Sequence, residues 1–399
     1  MSEETMSEAG PGGLASGLMK KGVLASDWLP AFKAVPRHLF VPDVIWPGRA
    51  GANRQDDQVV RSEDPELWWK TVYTDAPITT QWDDGRHTGP GRGCTPSCSN
   101  SMPTMVFSML AALDVEAGHR VLEIGTGTGW NAALLCHRLG DMNVVTVEVD
   151  AQIAATARAR LMAADFHPKA IVGDGTRGYG KDAPYDRIIA TCSVGSIPDQ
   201  WVGQTKPGAV IVAPWGPVYG GEAVARLTVT EAGVLTGRFV GSSAFMRLRG
   251  QRRNLPPASD FLDEDLWPAG GVESRTTLSP DDVGEWIHMF AIGVQVPDMF
   301  CRVSDVREDS YRLWLFDRGR TSWASADYTS GETSFRVVQS GRRDLWRELE
   351  AAWRWWYQQG QPDFDRFGLT VDHRGHVVWL DAPANPVPRW APGPRARNE

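Results

Sequence analysis

The sequence predicts an α/β fold in which a mostly parallel sheet carries helices on both faces. At residues 119–131 an apolar run leads into three glycines at every second position and then into a helical pattern, which is typical of a strand, a tight loop and a helix. Two further apolar runs, 143–150 and 171–175, each reach an acidic residue near their ends. Residues 225–230 and 235–240 predict an antiparallel hairpin that closes the sheet.

The other elements of this region alternate in type, which favours parallel βαβ units. They are predicted helices over 103–113, 151–164 and 198–204, and predicted strands over 185–191 and 209–215. Ligands bind at the carboxyl ends of parallel strands. We therefore expect the acids that follow the strands and the loop at 191–193 to surround one crevice.

The glycine loop predicts a nucleotide-type cofactor. Glycine lets the backbone approach a ligand closely, and free N–H groups at a helix start favour electron-rich partners. The dinucleotide fingerprint G-x-G-x-x-G holds a pyrophosphate, whereas Gly125, Gly127 and Gly129 follow a G-x-G-x-G spacing. Glu123, two residues before the first glycine, would repel a pyrophosphate but suits the cationic methionine end of S-adenosylmethionine. Its neighbours in the loop and helix start, Thr126 and Asn131, are further candidate contacts of this cofactor.

Acids at two further strand ends extend the predicted cofactor site. Glu148 lies where such folds hold a ribose diol. Asp174, followed by Gly175, can accept a hydrogen bond from an adenine amino group. A glycine turn alone is often only a turn, but acids at three successive strand ends favour a cofactor site.

Composition excludes several classes of protein. The net charge of −8 and the lack of a basic run argue against a nucleic-acid partner and against an anionic membrane surface. No apolar run approaches a membrane span, and the N-terminus is unlike a secretory signal. Five sparse cysteines are typical of a reducing cytosol, so we expect a cytoplasmic protein. Cys94 and Cys98 have only His87 nearby, which favours free thiols over a metal site.

A chain of 399 residues suits two domains. Residues 1–24 are predicted to be disordered, because they are small and polar without periodicity. Residues 25–252 form the predicted cofactor domain. Residues 253–399, rich in tryptophan, predict an α+β extension in which the aromatic stripe of a helix at 342–357 belongs to a core. No motif for chemistry occurs there, so we expect this extension to recognise a peptide or partner.

Several segments resemble the protein-L-isoaspartate O-methyltransferase family, in order from about Trp28 to Arg249. The segments are Val35 to Pro42, Ser101 to Pro103, the glycine loop, Gly173 to Gly175, Ala183 to Asp186, and Lys206 to Gly208. The resemblance implies a Rossmann-like class I methyltransferase fold, S-adenosylmethionine as cofactor and S-adenosylhomocysteine as product. It leaves the last third of the chain uncovered.

The resemblance also implies an acceptor site around Ser101, which would face the methyl group and hold the acceptor carboxylate. From the residues alone, Ser101 is placed like an N-cap of the helix that Pro103 opens. Ser99 and Asn100, in the segment that matches the family's Gln-Thr-Ile-Ser, are candidate substrate contacts. Cys192 and Ser193 are candidates in the loop after a predicted strand. A carboxylate is an anion at neutral pH, so no general base or metal is required.

Departures from the family guide the functional prediction. Two insertions before Ser101, at 47–63 and 83–93, and the large extension resemble longer relatives that modify ribosomally made peptides. We therefore predict methylation of an aspartate side chain of a macrocyclic ribosomal peptide, leading to an aspartimide. The alternative is repair of L-isoaspartyl residues in proteins. Less favoured are a nicotinamide-dependent oxidoreductase and a non-catalytic peptide-binding protein. Arg37 and His38, in the Pro-flanked segment, are predicted to be structural hydrogen-bonding residues.

Overall fold

The computed structural model describes residues 10–48, 58–252, 254–262 and 267–390, and the predicted α/β fold is confirmed. A nine-stranded mixed sheet forms its centre. Its strands in chain order are β5 Val121–Ile124, β6 Val144–Glu148, β7 Lys169–Val172, β8 Tyr185–Ala190, β9 Thr205–Trp215, β10 Glu222–Val229, β11 Leu235–Ser243, β17 Phe367–Asp372 and β18 Gly375–Leu380. The spatial order is β18-β17-β11-β10-β9-β8-β5-β6-β7. Strands β5 to β9 pair in parallel and the rest pair antiparallel.

Both faces of this sheet are buried. Successive residues of β5, Val121 and Leu122, belong to two different apolar clusters, as do Val210 and Ile211 of β9. Since neighbouring side chains of a strand point to opposite faces, the sheet has a core on each side. The helices are α1 Pro11–Lys20, α2 Leu29–Ala34, α3 Pro65–Val72, α4 Pro103–Leu113, α5 Trp130–Leu139, α6 Ala151–Ala163, α7 Asp199–Gly203, α8 Trp286–Gln295 and α9 Leu345–Gln358. None of the helices in these described ranges could cross a membrane.

The prediction that residues 1–24 are disordered is wrong for its second half. Residues 11–20 form α1, which begins with a proline at its first position. Leu14 and Leu18, one helical turn apart, are buried in the same cluster as Trp28 and Phe32. Tertiary burial therefore stabilises this helix, although its small residues leave too few apolar positions for a helical pattern to be recognised in the sequence. Residues 1–9 lie outside the described residues.

A small antiparallel sheet leads into the site. Its strands are β1 Val44–Pro47, β2 Val59–Val60, β3 Ile78–Trp82 and β4 Pro96–Asn100, in the order β2-β1-β3-β4. The insertion predicted at 47–63 lies mostly outside the described residues, but β2 within it pairs with β1. Strand β4 ends one residue before Ser101, so this sheet sets the position of the predicted acceptor site.

The predicted boundary at residue 253 is only partly right. After it comes a five-stranded antiparallel sheet, β12 Val272–Thr276, β13 Met299–Ser304, β14 Ser310–Asp317, β15 Ser322–Thr329 and β16 Phe335–Gly341, in the order β12-β16-β15-β14-β13. Helix α9 buries Leu345, Leu349 and Trp356, so its stripe is a core face. The hairpin β17–β18, however, pairs with β11 and extends the central sheet. This hairpin is therefore part of the cofactor domain, because β11 would otherwise be an open edge.

Leu369→Ala in β17 tests this coupling. Leu369 is fully buried among residues of the central sheet. We expect a loss of about 2–5 kcal/mol in the free energy of unfolding, from lost burial and the remaining cavity. Urea unfolding followed by circular dichroism measures it. Val377→Ala, at a position of β18 that is 44% exposed, is the matched control and should cost clearly less. Equal losses for the two variants would contradict the packing described above.

Candidate active site

The glycine loop joins β5 to α5 with a backbone that only glycine adopts readily. Gly125, Gly127 and Gly129 have φ values of +96°, +53° and +93°. A Cβ atom on Gly125 would lie 2.7 Å from the Thr191 hydroxyl oxygen. The glycine loop thus presents backbone without side chains at the carboxyl end of the sheet, where a cofactor binds. The N–H groups of its three glycines are bonded within the protein, to the Val147 carbonyl, the Glu148 carboxylate and the Thr126 carbonyl.

A cavity of about 1480 Å³ opens along this edge of the sheet. It exceeds the roughly 300–1,000 Å³ of an ordinary small-molecule site, so it has room for a cofactor and an acceptor group. Ten predicted site residues line it: Ser99, Asn100, Ser101, Gly125, Thr126, Gly127, Asn131, Glu148, Gly175 and Cys192. Four others, Glu123, Gly129, Asp174 and Ser193, do not line it.

Glu123 lies behind the loop and is fully buried. Its carboxylate accepts hydrogen bonds from the Thr146 hydroxyl at 2.5 Å and from the Asn131 amide at 2.7 Å. Burial raises its pKa from 4.5 to about 7. In this arrangement the side chain ties β5, β6 and the start of α5 together. Contact with the cationic end of the cofactor stays a prediction.

The acids at the next two strand ends differ in their exposure to the cavity. Glu148 lines it, and its two carboxylate oxygens accept from the N–H groups of Gly127 at 3.0 Å and Asp150 at 3.1 Å. Asp174 instead accepts from the Thr176 N–H at 2.9 Å and caps a short 3-10 turn. Gly175 lies in the cavity wall, where a Cβ atom would come within 2.6 Å of the Ile124 side chain. Glu148 is therefore the acid available to a ribose.

The prediction that Ser101 caps the following helix is wrong. Helix α4 begins at Pro103, Met102 occupies the cap position, and no cap side chain bonds to it. Asp75 satisfies the helix start from outside, accepting from the Thr104 N–H at 2.9 Å and the Thr104 hydroxyl at 2.6 Å. No local sequence signal marks Asp75, since it lies far upstream of α4. The half-buried Ser101 hydroxyl is not used by the cap and lies in the cavity wall.

Arg37 holds the segment that carries Ser101. Its fully buried guanidinium donates to the side chain of Asn100 at 2.7 Å and to the carbonyls of Asn100 at 3.3 Å and Ser101 at 2.9 Å. The Asn100 amide in turn donates to the Thr128 hydroxyl at 2.9 Å. Burial lowers the pKa of Arg37 to about 9, so it stays charged at neutral pH. The structural role predicted for Arg37 is confirmed, and Asn100 uses its side chain to join β4 to the glycine loop.

Sequence reasoning missed an ion-pair network on the rim of the cavity. Arg249 bonds to Asp150 at 3.0 Å and to Asp84 at 3.2 Å. Arg252 bonds to both oxygens of Asp84 at 2.8 and 2.9 Å. These pairs tie the glycine-rich loop after β3 to the start of α6. No spacing rule links residues so far apart in the chain.

The remaining wall combines the loop after β8 with the C-terminal region. Burial raises the pKa of Cys192 to about 12, so it is a neutral thiol. The Ser193 hydroxyl donates to the Phe245 carbonyl at 3.3 Å and has no exposed surface. From the C-terminal region, residues 285–287 and 363–365 line the cavity. Ser193 is thus a structural residue behind the wall, and the prediction of direct contact with substrate fits Cys192 better.

Comparison with known proteins identifies the chain. The Rossmann-like sheet and the site define a class I S-adenosylmethionine-dependent methyltransferase, with S-adenosylmethionine as its cofactor. A family model described as protein-L-isoaspartate(D-aspartate) O-methyltransferase matches residues 59–252. A protein-L-isoaspartate O-methyltransferase of Methanopyrus kandleri is 34% identical over 232 residues, covering 57% of this chain and 86% of that protein. The chain belongs to the protein-L-isoaspartate O-methyltransferase family.

Two further comparisons extend this result. Protein-L-isoaspartate O-methyltransferase 2 of Archaeoglobus fulgidus is 32% identical over 243 residues, which are 60% of this chain and 92% of that protein. A solved structure titled protein-L-isoaspartate O-methyltransferase, 20% identical, aligns with a TM-score of 0.52 and covers 93% of this chain and 100% of that chain. The fold likeness therefore reaches into the C-terminal region. The enzyme is a carboxyl O-methyltransferase, so the oxidoreductase and non-catalytic alternatives are set aside.

Gly125→Ala tests the cofactor loop. The positive φ angle strains any residue with a Cβ atom by about 1–2 kcal/mol, which corresponds to roughly 5–30-fold in an equilibrium constant. We expect S-adenosylmethionine affinity, measured by calorimetry, to fall by at least that factor. Gly208→Ala is the control, because Gly208 also has a positive φ of +78° but has open space around it and lies outside the cavity wall. Unchanged affinity in the Gly125 variant would refute the placement of the cofactor.

Glu123 should make stability depend on pH. Between pH 4.5 and about 7 the folded protein keeps a proton that the unfolded chain has lost. The free energy of unfolding therefore falls as the pH rises through this window, by an amount on the order of 3 kcal/mol, and this contribution is constant above it. Urea unfolding of the wild type and Glu123→Gln should show the wild type losing stability relative to the variant up to pH 7. Parallel pH profiles would contradict the burial of an ionisable group.

Proposed function

We propose that the protein transfers the methyl group of S-adenosylmethionine to the free carboxylate of L-isoaspartyl residues in proteins and peptides. One observation carries this proposal: the Ser101 hydroxyl, not used as a helix cap, lines the same cavity as the glycine loop. The names of the two archaeal relatives support the substrate class, since this chain covers most of their length.

The reaction needs alignment more than acid–base chemistry. A carboxylate oxygen attacks the methyl carbon, the carbon–sulfur bond breaks, and its electron pair neutralises the sulfonium to give S-adenosylhomocysteine. The acceptor is already an anion at neutral pH, so no proton has to be removed. Positioning of the two groups in one cavity can lower the barrier by about 7–11 kcal/mol. In this scheme Ser101 donates a hydrogen bond to the acceptor carboxylate and aligns it.

The ester has a defined fate. The nitrogen of the following backbone amide attacks the ester carbonyl, methanol leaves, and a succinimide forms. Hydrolysis of the imide returns part of the material to ordinary aspartate, which makes the methylation a repair step. The same sequence on an ordinary aspartate would install an imide instead.

The prediction of a macrocyclic ribosomal peptide as substrate rested on the insertions and on the C-terminal extension. A protein titled protein-L-isoaspartate O-methyltransferase has a fold that covers 93% of this chain, so an extension does not by itself indicate a peptide-modifying branch. Isoaspartyl repair is therefore the better supported function. The size of the cavity keeps a macrocyclic aspartyl peptide as a second candidate. A cytoplasmic location stays part of this proposal, in keeping with five free cysteines.

We also propose that the C-terminal region recognises the peptide around the acceptor. The Trp286 indole donates to the carbonyls of Glu222 at 3.2 Å and Ser243 at 3.0 Å, which fixes its ring in the cavity wall. The ring is 39% exposed, so an apolar surface is available to a bound peptide. Phe364, from the segment before β17, lies in the same wall. A peptide bound at Ser101 would therefore also contact Trp286 and Phe364 of the C-terminal region.

Ser101→Ala tests the function. The wild type should add one methyl group to an isoaspartyl peptide, detected by mass spectrometry, and leave the matched aspartyl peptide unchanged. Loss of a hydrogen bond to a charged group costs about 1.5–3 kcal/mol, so kcat/KM of the variant should fall by roughly 10–150-fold. Its affinity for S-adenosylmethionine should be retained. Methylation of a macrocyclic aspartyl peptide but not of the isoaspartyl peptide would favour the second candidate, and normal turnover by the variant would remove Ser101 from the site.

A further inference from the structure

Arg247 is a charged residue of the cavity wall, and it has no part in the methyl transfer proposed for Ser101 and the cofactor. It lies in the segment after β11, which pairs in parallel with the loop after β8: the Ser193 N–H donates to the Met246 carbonyl at 2.9 Å, and the Leu248 N–H donates to the Ser193 carbonyl at 2.8 Å. Arg247 and Arg249, two positions apart on this extended segment, both line the cavity. The pairing with Ser193 sets Arg247 beside the loop that carries Cys192.

Three arginines of the described part of the chain line the cavity, and two of them are paired with aspartates at its rim. Arg249 and Arg252 form the rim network with Asp84 and Asp150, next to the start of α6. Arg247 has a different partner, Glu222, whose carboxylate lies 3.2 Å from its guanidinium. The first two belong to the end of the cavity formed by β6 and α6, whereas Arg247 belongs to the end formed by β10 and the C-terminal wall.

The hydrogen-bonding capacity of Arg247 is incompletely used. A guanidinium has five N–H donors, and those of Arg247 donate to the Gly216 carbonyl at 3.4 and 3.5 Å, while Glu222 is its ion-pair partner. The Nε donor has no partner among the described residues, and the side chain is 25% exposed in the cavity wall. Glu222 itself is held by the Phe245 N–H at 3.1 Å. The ion pair therefore holds the Arg247 guanidinium in one position and leaves some of its N–H donors free to bind a ligand.

We propose that Arg247 binds the acceptor carboxylate, with Glu222 holding its guanidinium in place. The inference rests on the proposed function, because it concerns the same acceptor. A carboxylate that leaves water needs a compensating partner, and the carboxylates of Glu148 and Glu222 in the cavity wall would otherwise repel it. A planar guanidinium suits a carboxylate better than a single hydroxyl does, since it offers two parallel N–H donors.

This placement predicts which kinetic constant Arg247 controls. Methyl transfer converts the acceptor anion into a neutral ester, so a cation stabilises the bound substrate more than it stabilises the transition state. Arg247 should therefore lower KM without raising kcat. Glu222 partly neutralises the Arg247 guanidinium. The ion pair between Arg247 and the acceptor carboxylate is therefore weaker, and the carboxylate stays able to attack the methyl group.

The test measures binding without turnover. Calorimetry of the complex with S-adenosylhomocysteine uses an isoaspartyl peptide and the same peptide with a carboxamide in place of the free carboxylate. The wild type should bind the carboxylate at least about tenfold more tightly, as expected for a hydrogen bond to a charged group, and Arg247→Gln should lose most of this preference and keep only the part that the Ser101 hydroxyl supplies. Arg138→Gln is the matched control, because Arg138 pairs with Asp27 at 3.1 Å and lies outside the cavity wall, so the preference should be kept.

Turnover gives the second measurement. Arg247→Gln should raise KM for the isoaspartyl peptide by about tenfold or more and change kcat by less than about threefold. If this variant does not fold, as judged by melting and S-adenosylmethionine binding, Arg247→Lys replaces it and should keep part of the carboxylate preference because the charge remains. A carboxylate preference that is undiminished in Arg247→Gln, or a fall in kcat with unchanged KM, would overturn the inference.

Different results would contradict the proposed function and the proposed role of Arg247. A wild type that prefers the carboxylate peptide through Arg247 but transfers no methyl group would overturn the proposed function and support the binding role. A wild type that methylates the isoaspartyl peptide while binding the carboxamide equally well would overturn the role of Arg247 alone.

Discussion

The site depends on one buried charge. Arg37 has almost no exposed surface and donates six hydrogen bonds. Three go to carbonyls at and just after the end of α3, two to the carbonyls of Asn100 and Ser101, and one to the Asn100 side chain. A buried guanidinium is tolerated only when its donors are satisfied, so these backbone groups have to converge on it. Through Asn100 and Thr128 the same interaction reaches the glycine loop. Ser101 and the glycine loop are therefore fixed relative to each other by one network.

The C-terminal region is joined to this centre by backbone pairing. Because β17 forms a ladder with β11, the segment before β17 reaches the edge of the cavity and brings Phe364 into its wall. Trp286, at the start of α8, is bonded to carbonyls of β10 and β11. An element that has no chemical motif of its own thus shapes the acceptor end of the site.

Much of the site could be predicted from local sequence. The spacing of the glycines, the acids after successive strands and the apolar alternation all act within a few residues. They predicted the sheet, and they singled out the glycine loop and Glu148, which line one cavity. The helix cap at Ser101 failed because Asp75 competes for the same N–H group from a distant segment. Glu123 carried the right residue type, but whether its carboxylate faces a cavity or the back of the loop depends on Thr146 and Asn131.

The sequence by itself determined the α/β class, the cofactor and the family, because short-range patterns and motif residues carry that information. Only the tertiary structure decided that residues 11–20 fold, that the last hairpin belongs to the central sheet, and that arginines at 37, 247 and 249 meet their partners. Those outcomes depend on which distant surfaces bury apolar area and satisfy buried polar groups together. The hydrophobic periodicity of one segment does not indicate which distant segment it packs against.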